Sequence, residues 1–410
     1  MASRSVRKAG NFEEFVRHLS ADELRAIVVS AAARHDDIER HVRLVAARAG
    51  GDLTELRAEV DRGLRTRRFL GYRESGEWAQ DARPVLEELR LASELAPTQE
   101  LIMLIQRAIG HVVKVIMHAD DSDGAIGGLA RELLELLAEA CDAGGADPVK
   151  LAKWMVRFSC DDQDFFETDP VRYAGALGDR GLATYRKAIS ERSDGEQFAV
   201  RWARERLAVL DGDQKAIILM LGGDLSAPHQ FGRVCEAMDE LKLDDQVLHW
   251  AQRGIAETDG WQVAKLYDFA SGVFEKRSDP VAVLRLRREQ HGRMASANTY
   301  SMLRKAANEL DAWEIEREAA REALRIRDRG QLVDALLDEG DVDVAWRVAH
   351  EDVKWVPSSE RRLALAKACE HDRPERALHS YMLAIDEILL KTGRGSYRNA
   401  VAVLKRARTA

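Results

Sequence analysis

Apolar and polar positions recur along most of this chain with the period of an α-helix, and the clearest case runs from Gln99 to Cys141. Leu101, Ile105, Ala108, Val112, Val115 and Ile116 fall on one face, with Ile102, Ile109 and Val113 beside them. Glu100, Arg107, His111, Lys114 and His118 return to one narrow stripe, because steps of three and four residues keep to one side of a 3.6-residue turn. A helix apolar over most of its circumference is buried between neighbours, so this one is expected at the centre of its domain. After Asp120-Asp-Ser-Asp-Gly124 the pattern resumes with Ile126, Ala130, Leu133, Leu137 and Ala140. The two segments predict a helical hairpin.

Other starts and stops in the first half fit short helices around it. Ser20-Ala-Asp-Glu23 has the spacing of a capping box. A helix over Leu53–Phe69 ends in a basic run, and Pro84 is expected in the first turn of a helix over Val85–Leu95. Ala146-Asp-Pro148 opens a further helix. The polar stretch Glu191-Arg-Ser-Asp-Gly195 has no apolar period and marks a domain boundary, giving an N-terminal helical bundle over 1–190 and a second domain over 196–410.

The second domain repeats. A polar turn followed by an apolar-spaced helix recurs at Asp244, Asp279, Asp311, Asp341 and Asp372, at separations of 35, 32, 30 and 31 residues. That is the length of a helix–turn–helix unit of the tetratricopeptide kind, about 34 residues. Ala251, Ala282, Ala312, Ala345 and Ala377 sit near the starts of second helices, where two helices must approach closely. The expected fold is all-α: a helical bundle continuous with a tetratricopeptide-like α-solenoid of antiparallel helix pairs. Stacked pairs bury their core against each other and leave one concave surface free.

Composition narrows the classes. Of 410 residues, 46% are hydrophobic and 32% charged, which suits a packed, well-solvated chain. A net charge of -8 argues against general affinity for nucleic acid or anionic membrane, though not against a local basic face. Cys141, Cys160, Cys235 and Cys369 are far apart and in apolar helical contexts, so they read as small buried side chains, with no metal or cofactor implied. No apolar run reaches the roughly 18 residues that would span a membrane. A soluble cytoplasmic protein is expected.

Five segments together resemble the helical region that accompanies the SWIM zinc finger in bacterial SWIM-finger proteins. They are Ala21-Asp-Glu-Leu-Arg25, Asp61-Arg-Gly-Leu-Arg-Thr-Arg-Arg-Phe69, Asp120-Asp-Ser-Asp-Gly-Ala-Ile-Gly127, Gly340-Asp-Val-Asp-Val-Ala-Trp346 and Thr392-Gly-Arg-Gly-Ser-Tyr397. The finger's Cys-x-Cys and Cys-x-His pairs do not occur, so its zinc does not carry over. The resemblance implies a helical accessory region and no catalytic residues.

Candidate chemistry is sparse. Asp121-Ser-Asp123-Gly124 has part of a calcium-loop spacing, but Ala119 and Ala130 occupy two ligand positions; a capped helix start, with Ser122 or Asp123 as the cap, fits better. Arg107, His111, Lys114 and His118 read either as a groove for an acidic ligand or as the wet edge of a buried helix. His35-Asp36 lacks partners for a metal site. Arg285, Arg287, Arg288 and Arg293, and Arg394, Arg398, Lys405, Arg406 and Arg408, form further basic runs. The leading reading is a non-catalytic scaffold that binds a protein or peptide along the first helices of the array, through Arg233, Lys265, Tyr267, Arg304, Lys305 and Arg362. The rival is nucleic-acid binding through Arg62, Arg65, Arg67, Arg68 and Tyr72, by phosphate contact and base stacking. An enzyme with a site assembled from scattered residues is the third.

Overall fold

The computed structural model describes residues 15–49, 53–192, 197–352, 354–390 and 393–408. Residues 193–195 of the expected boundary, Thr392 and the side chain of Arg394 lie outside what is described. Among the described residues the fold is all-α, and the β-type contact found is an isolated bridge between Leu70 and Ala119. The chain divides into two compact units, Met1–Asp213 and Gln214–Ala410. The helix Phe198–Leu210 therefore belongs to the first unit, one helix beyond the polar stretch at 191–195.

In the N-terminal unit the hairpin of Gln99–Ile116 and Ala125–Asp142 occupies the middle. Its first helix packs on Leu53–Leu64 and Tyr72–Leu95, and its second on Tyr72–Leu95 and Ala174–Ser190. Ile105, Ala108, Ile109, Val112, Ile126, Ala130 and Leu137 are fully buried, as the period requires. Fully burying one such aliphatic side chain is worth about 1.5–3 kcal/mol, so the hairpin contributes a large share of the unit's core stability. Ser20 carries the capping box expected of it, and Asp147 caps the helix that opens at Pro148. Pro84 departs from expectation: it lies inside one continuous helix, Tyr72–Leu95, and not at the start of a new one. Burial of Val85, Leu86 and Leu89 outweighs the backbone hydrogen bond that proline removes. Gly145, at φ +97°, could not be another residue, since a Cβ there would lie 2.2 Å from the Pro97 carbonyl oxygen.

In the C-terminal unit helices follow one another in pairs. Pro228–Glu240 packs on Asp244–Glu257, Val263–Lys276 on Pro280–Arg293, Ala297–Asn308 on Trp313–Arg327, Arg329–Asp338 on Val342–His350, and Ser359–Cys369 on Pro374–Leu390. The last of these also carries Arg394–Ala407. One turn closes four first helices. Lys242, Ser278, Asp311 and Gly340 take left-handed conformations. The next amide then reaches back five residues, from Leu243 to Met238 (2.9 Å), Asp279 to Phe274 (3.0 Å), Ala312 to Ala307 (2.8 Å) and Asp341 to Leu336 (2.9 Å). These are Schellman closures, which satisfy helix-end carbonyls and reverse the chain at once.

Ala251, Ala345 and Ala377 are fully buried and Ala282 nearly so, as close helix contact demands. Ala312 is different: it precedes Trp313–Arg327 and is only half-buried, and Ala320 is the buried alanine of that helix. Gly254 shows how close the contact is, since a Cβ there would stand 2.6 Å from Leu266 and 2.7 Å from the Phe231 ring. Ion pairs tie each pair to the one before. Lys276 reaches Asp239 (2.7 Å) and Asp244 (2.9 Å), Arg361 reaches Asp334 (3.0 Å), and Arg376 reaches Asp343 (2.8 Å). Exposed pairs contribute little energy each, so burial between helices holds the array and the charges help fix register.

Candidate interaction surface

The six residues expected to meet a partner do not form one surface. Tyr267 is fully buried, and its hydroxyl donates to Glu289 at 3.0 Å. Burial and that carboxylate push its phenol up to about 12, so it stays neutral and internal. Arg362 is largely enclosed, donating to the Leu383 carbonyl (3.1 Å) and pairing with Glu387 (3.2 Å) across its own hairpin. Arg304 is half-buried and stands 3.5 Å from Glu339, a carboxylate shared with Arg321 (2.5 Å) and the Tyr300 hydroxyl (2.9 Å). Tyr267 and Arg362 hold helices together from inside the array, and Arg304 leans on Glu339 with part of its side chain exposed. Arg233, Lys265 and Lys305 remain exposed.

Lys265 belongs to a group that the sequence reading missed. It pairs with Glu236 on the neighbouring first helix, and its ammonium lies 5.8 Å from the centre of the Phe269 ring. One turn earlier stands Trp261, 81% exposed. Lys265 and Phe269, four apart, share a face of the helix Val263–Lys276, and Trp261 stands in the turn that leads into it. Arg233 is exposed one turn before Glu236 on the adjacent helix Pro228–Glu240. The result is an aromatic–cationic row flanked by mixed charge. Spacing could have pointed to it, but a tryptophan beside a turn glycine reads as core until its exposure is known.

The rival basic segment is open to solvent. Arg62, Arg65, Arg67, Arg68, Phe69 and Tyr72 are all exposed, with Phe69 at 67% and Tyr72 at 55%. Acids temper three of these arginines: Arg62 pairs with Glu59, Arg68 with Glu74 (3.1 Å), and Arg65 lies 3.7 Å from Asp61. The segment is fixed at both ends to the central helix. Asp61 accepts two bonds from Arg107 (2.6 and 2.7 Å) and one from His111 Nε2 (2.7 Å). The Leu70 amide donates to the His118 carbonyl (3.2 Å), and the Asp120 amide to the Leu70 carbonyl (2.8 Å). Arg62–Phe69 therefore runs alongside exposed Lys114 and His118. Arg107 and His111 of the polar stripe are used structurally. The Arg107 guanidinium holds the Asp61 carboxyl far below the usual range, and burial lowers His111, keeping it neutral.

The acidic turn of the hairpin serves helix capping. Asp121 accepts from the amides of Ile126 (2.8 Å) and Gly127 (2.8 Å), and Asp123 from Ala125 (3.1 Å). Asp121, and not Ser122 or Asp123, is the main anchor of the helix start, with Gly124 at φ +74° as the cap residue itself. Free amides and the positive helix end favour carboxylates there. In the loop after Trp154, buried Gln163 accepts from the amides of Phe165 (2.6 Å) and Phe166 (2.8 Å) and donates to the carbonyls of Phe158 (2.9 Å) and Phe166 (2.6 Å). That loop is internally satisfied.

Of the other basic runs, Arg287 pairs with Asp268 (2.8 Å), Arg288 with Glu316 (2.5 Å), and Arg293 bonds the carbonyls of Ile255 (2.5 Å) and Thr258 (2.5 Å). All four cysteines are buried free thiols, and burial pushes Cys141 and Cys235 up to about 12. Among the described residues no helix is long and apolar enough to cross a membrane. Fold and surface together define an all-α protein built of a helical bundle unit and a unit of stacked helix pairs. No protein-family model matches the chain, and no curated protein matches it.

Proposed function

We propose that this protein is a non-catalytic helical scaffold whose C-terminal unit, taken as tetratricopeptide-like pairs, binds a protein segment along its first helices. The observation that best supports this is the row Trp261–Lys265–Phe269 beside Arg233 and Glu236. A tryptophan this exposed is unusual, and tryptophan and arginine dominate binding hot spots. An indole supplies a large rigid contact, and the neighbouring cations suit a segment carrying acidic and apolar residues. The test is quantitative co-purification with wild type, Trp261→Ala/Lys265→Glu, and Arg65→Glu/Arg67→Glu/Arg68→Glu. A partner should be lost with the first variant and kept with the second, with melting temperatures within about 2 °C of wild type for these surface changes. The reverse pattern would remove this reading.

Nucleic-acid binding is the second reading, supported by two exposed aromatics among arginines and alongside Lys114. It requires capture by the Arg65–Tyr72 segment that weakens steeply with added salt, because phosphate contacts release counterions.

A further inference from the structure

We infer that the last helix, Arg394–Ala407, is a docking face for an acidic amphipathic helix of a protein partner. One side of this helix is anchored: Ala400 is buried, and Val403 and Ala407 pack on Ala366, Cys369, Ala377 and Tyr381. Arg406 holds Glu370 at 2.9 Å, fixing the helix about its axis. Next to the anchored side, Tyr397, Val401 and Leu404 are roughly half exposed. At 100° per residue these three fall within about 60° of arc. Arg398 and Lys405 border the stripe on the side away from the core, and both are exposed. Core contact, apolar stripe and basic stripe thus follow one another around a single helix.

The chemistry of the occupant follows from spacing and charge. Intervals of four and three are those by which one helix receives the i, i+4, i+7 anchors of another. From Lys391 to Arg408 the chain carries six cations and no acidic residue, within a protein of net charge -8. A partner helix with apolar anchors flanked by Asp and Glu covers the stripe and meets the cations in charge-assisted pairs. Three apolar side chains offer too little surface to hold a helix flat in a lipid interface, so a protein helix is the occupant and not a membrane.

This face is distinct from the Trp261 row, and its test does not depend on that reading. The full chain is panned against a display library of 18-residue helical peptides. Enriched sequences should carry apolar residues at i, i+3 or i+4 and i+7 with Asp or Glu beside them. Binding of an enriched peptide, read by fluorescence anisotropy, should fall at least tenfold with Arg398→Glu/Lys405→Glu and with Leu404→Asp, and be unchanged with Trp261→Ala. The same peptide with its acids changed to Lys should regain affinity for the charge-reversed variant, a rescue that a misfolded variant could not give. No enrichment, enrichment without acidic residues, binding that survives both variants, or preferential binding to anionic phospholipid vesicles would each overturn the proposal.

Discussion

In the N-terminal unit one apolar cluster runs unbroken from Leu44 to Leu207, and the hairpin of Gln99–Ile116 and Ala125–Asp142 lies inside it. Both units bury polar side chains, and in the C-terminal unit buried tyrosines recur as donors to carboxylates. Tyr267 donates to Glu289, Tyr300 to Glu339 and Tyr381 to Glu370, and all three rings are fully buried. A single core makes every helix around it depend on the same contacts. A serial array depends on nearest neighbours, so damage stays local. The polar contacts of the array are also directional, which suits fixing one register among similar helix pairs.

The sharpest test of that contrast compares two buried positions. Ile109→Ala removes a fully buried side chain at the centre of the hairpin and should cost about 2–5 kcal/mol. Hydrogen exchange should rise across all helices packed on the hairpin. Ala345→Trp overfills a fully buried site and should cost about 1–3 kcal/mol. Exchange should rise in Arg329–Asp338, Val342–His350 and Ser359–Cys369 and leave Pro228–Glu240 protected. Loss of protection as far as Pro228–Glu240 would mean that the array melts as one block.

Acid tests the fastening of the basic segment in the N-terminal unit. The Arg107 guanidinium depresses Asp61, so the stabilisation from this carboxylate is complete above its ordinary value of 3.8 and is lost as pH falls through the lower folded value. Burial depresses His111 as well, so stability also declines as pH drops below 6.5, where the unfolded chain takes up a proton that the folded one resists. Asp61→Asn should cost about 1.5–3 kcal/mol at neutral pH, the range for bonds to charged groups, and flatten the branch below pH 4. A variant with the wild-type acid-unfolding profile would show that Asp61 does not fasten the basic segment to the central helix.

The smallest effect should be a gain. Lys242 and Ser278 bear side chains at φ +60° and +55°, a conformation that costs an L-residue roughly 1–2 kcal/mol. Lys242→Gly should raise stability by about 0.5–1 kcal/mol after the entropy of glycine in the unfolded chain is deducted, as read from denaturant midpoints. A loss would mean that the Lys242 side chain contributes more than the strain it imposes.

The all-α class, the central hairpin, the cap at Ser20, the helix start at Pro148 and the burial of all four cysteines were legible in the sequence. Each is set by residues a few positions apart, where helical period and local hydrogen bonding decide the outcome. The surface was much less legible. Tyr267 and Arg362 looked available because their partners, Glu289 and the Leu383 carbonyl, come from other helices. The exposure of Trp261 has no local signature, because it depends on which helices lie opposite.

By itself, then, the sequence determined which stretches are helical, where they start, and which faces must be apolar, since these follow from the geometry of a single helix. Tertiary structure alone decided what covers each face. Pairing Asp61 with Arg107 and His111, drawing Leu70 to Ala119, enclosing Tyr267 and leaving Trp261 in solvent all depend on contacts between separate helices. The physical reason is range: periodicity reports the orientation of a side chain about its own axis, whereas burial and pairing depend on which other axis lies opposite.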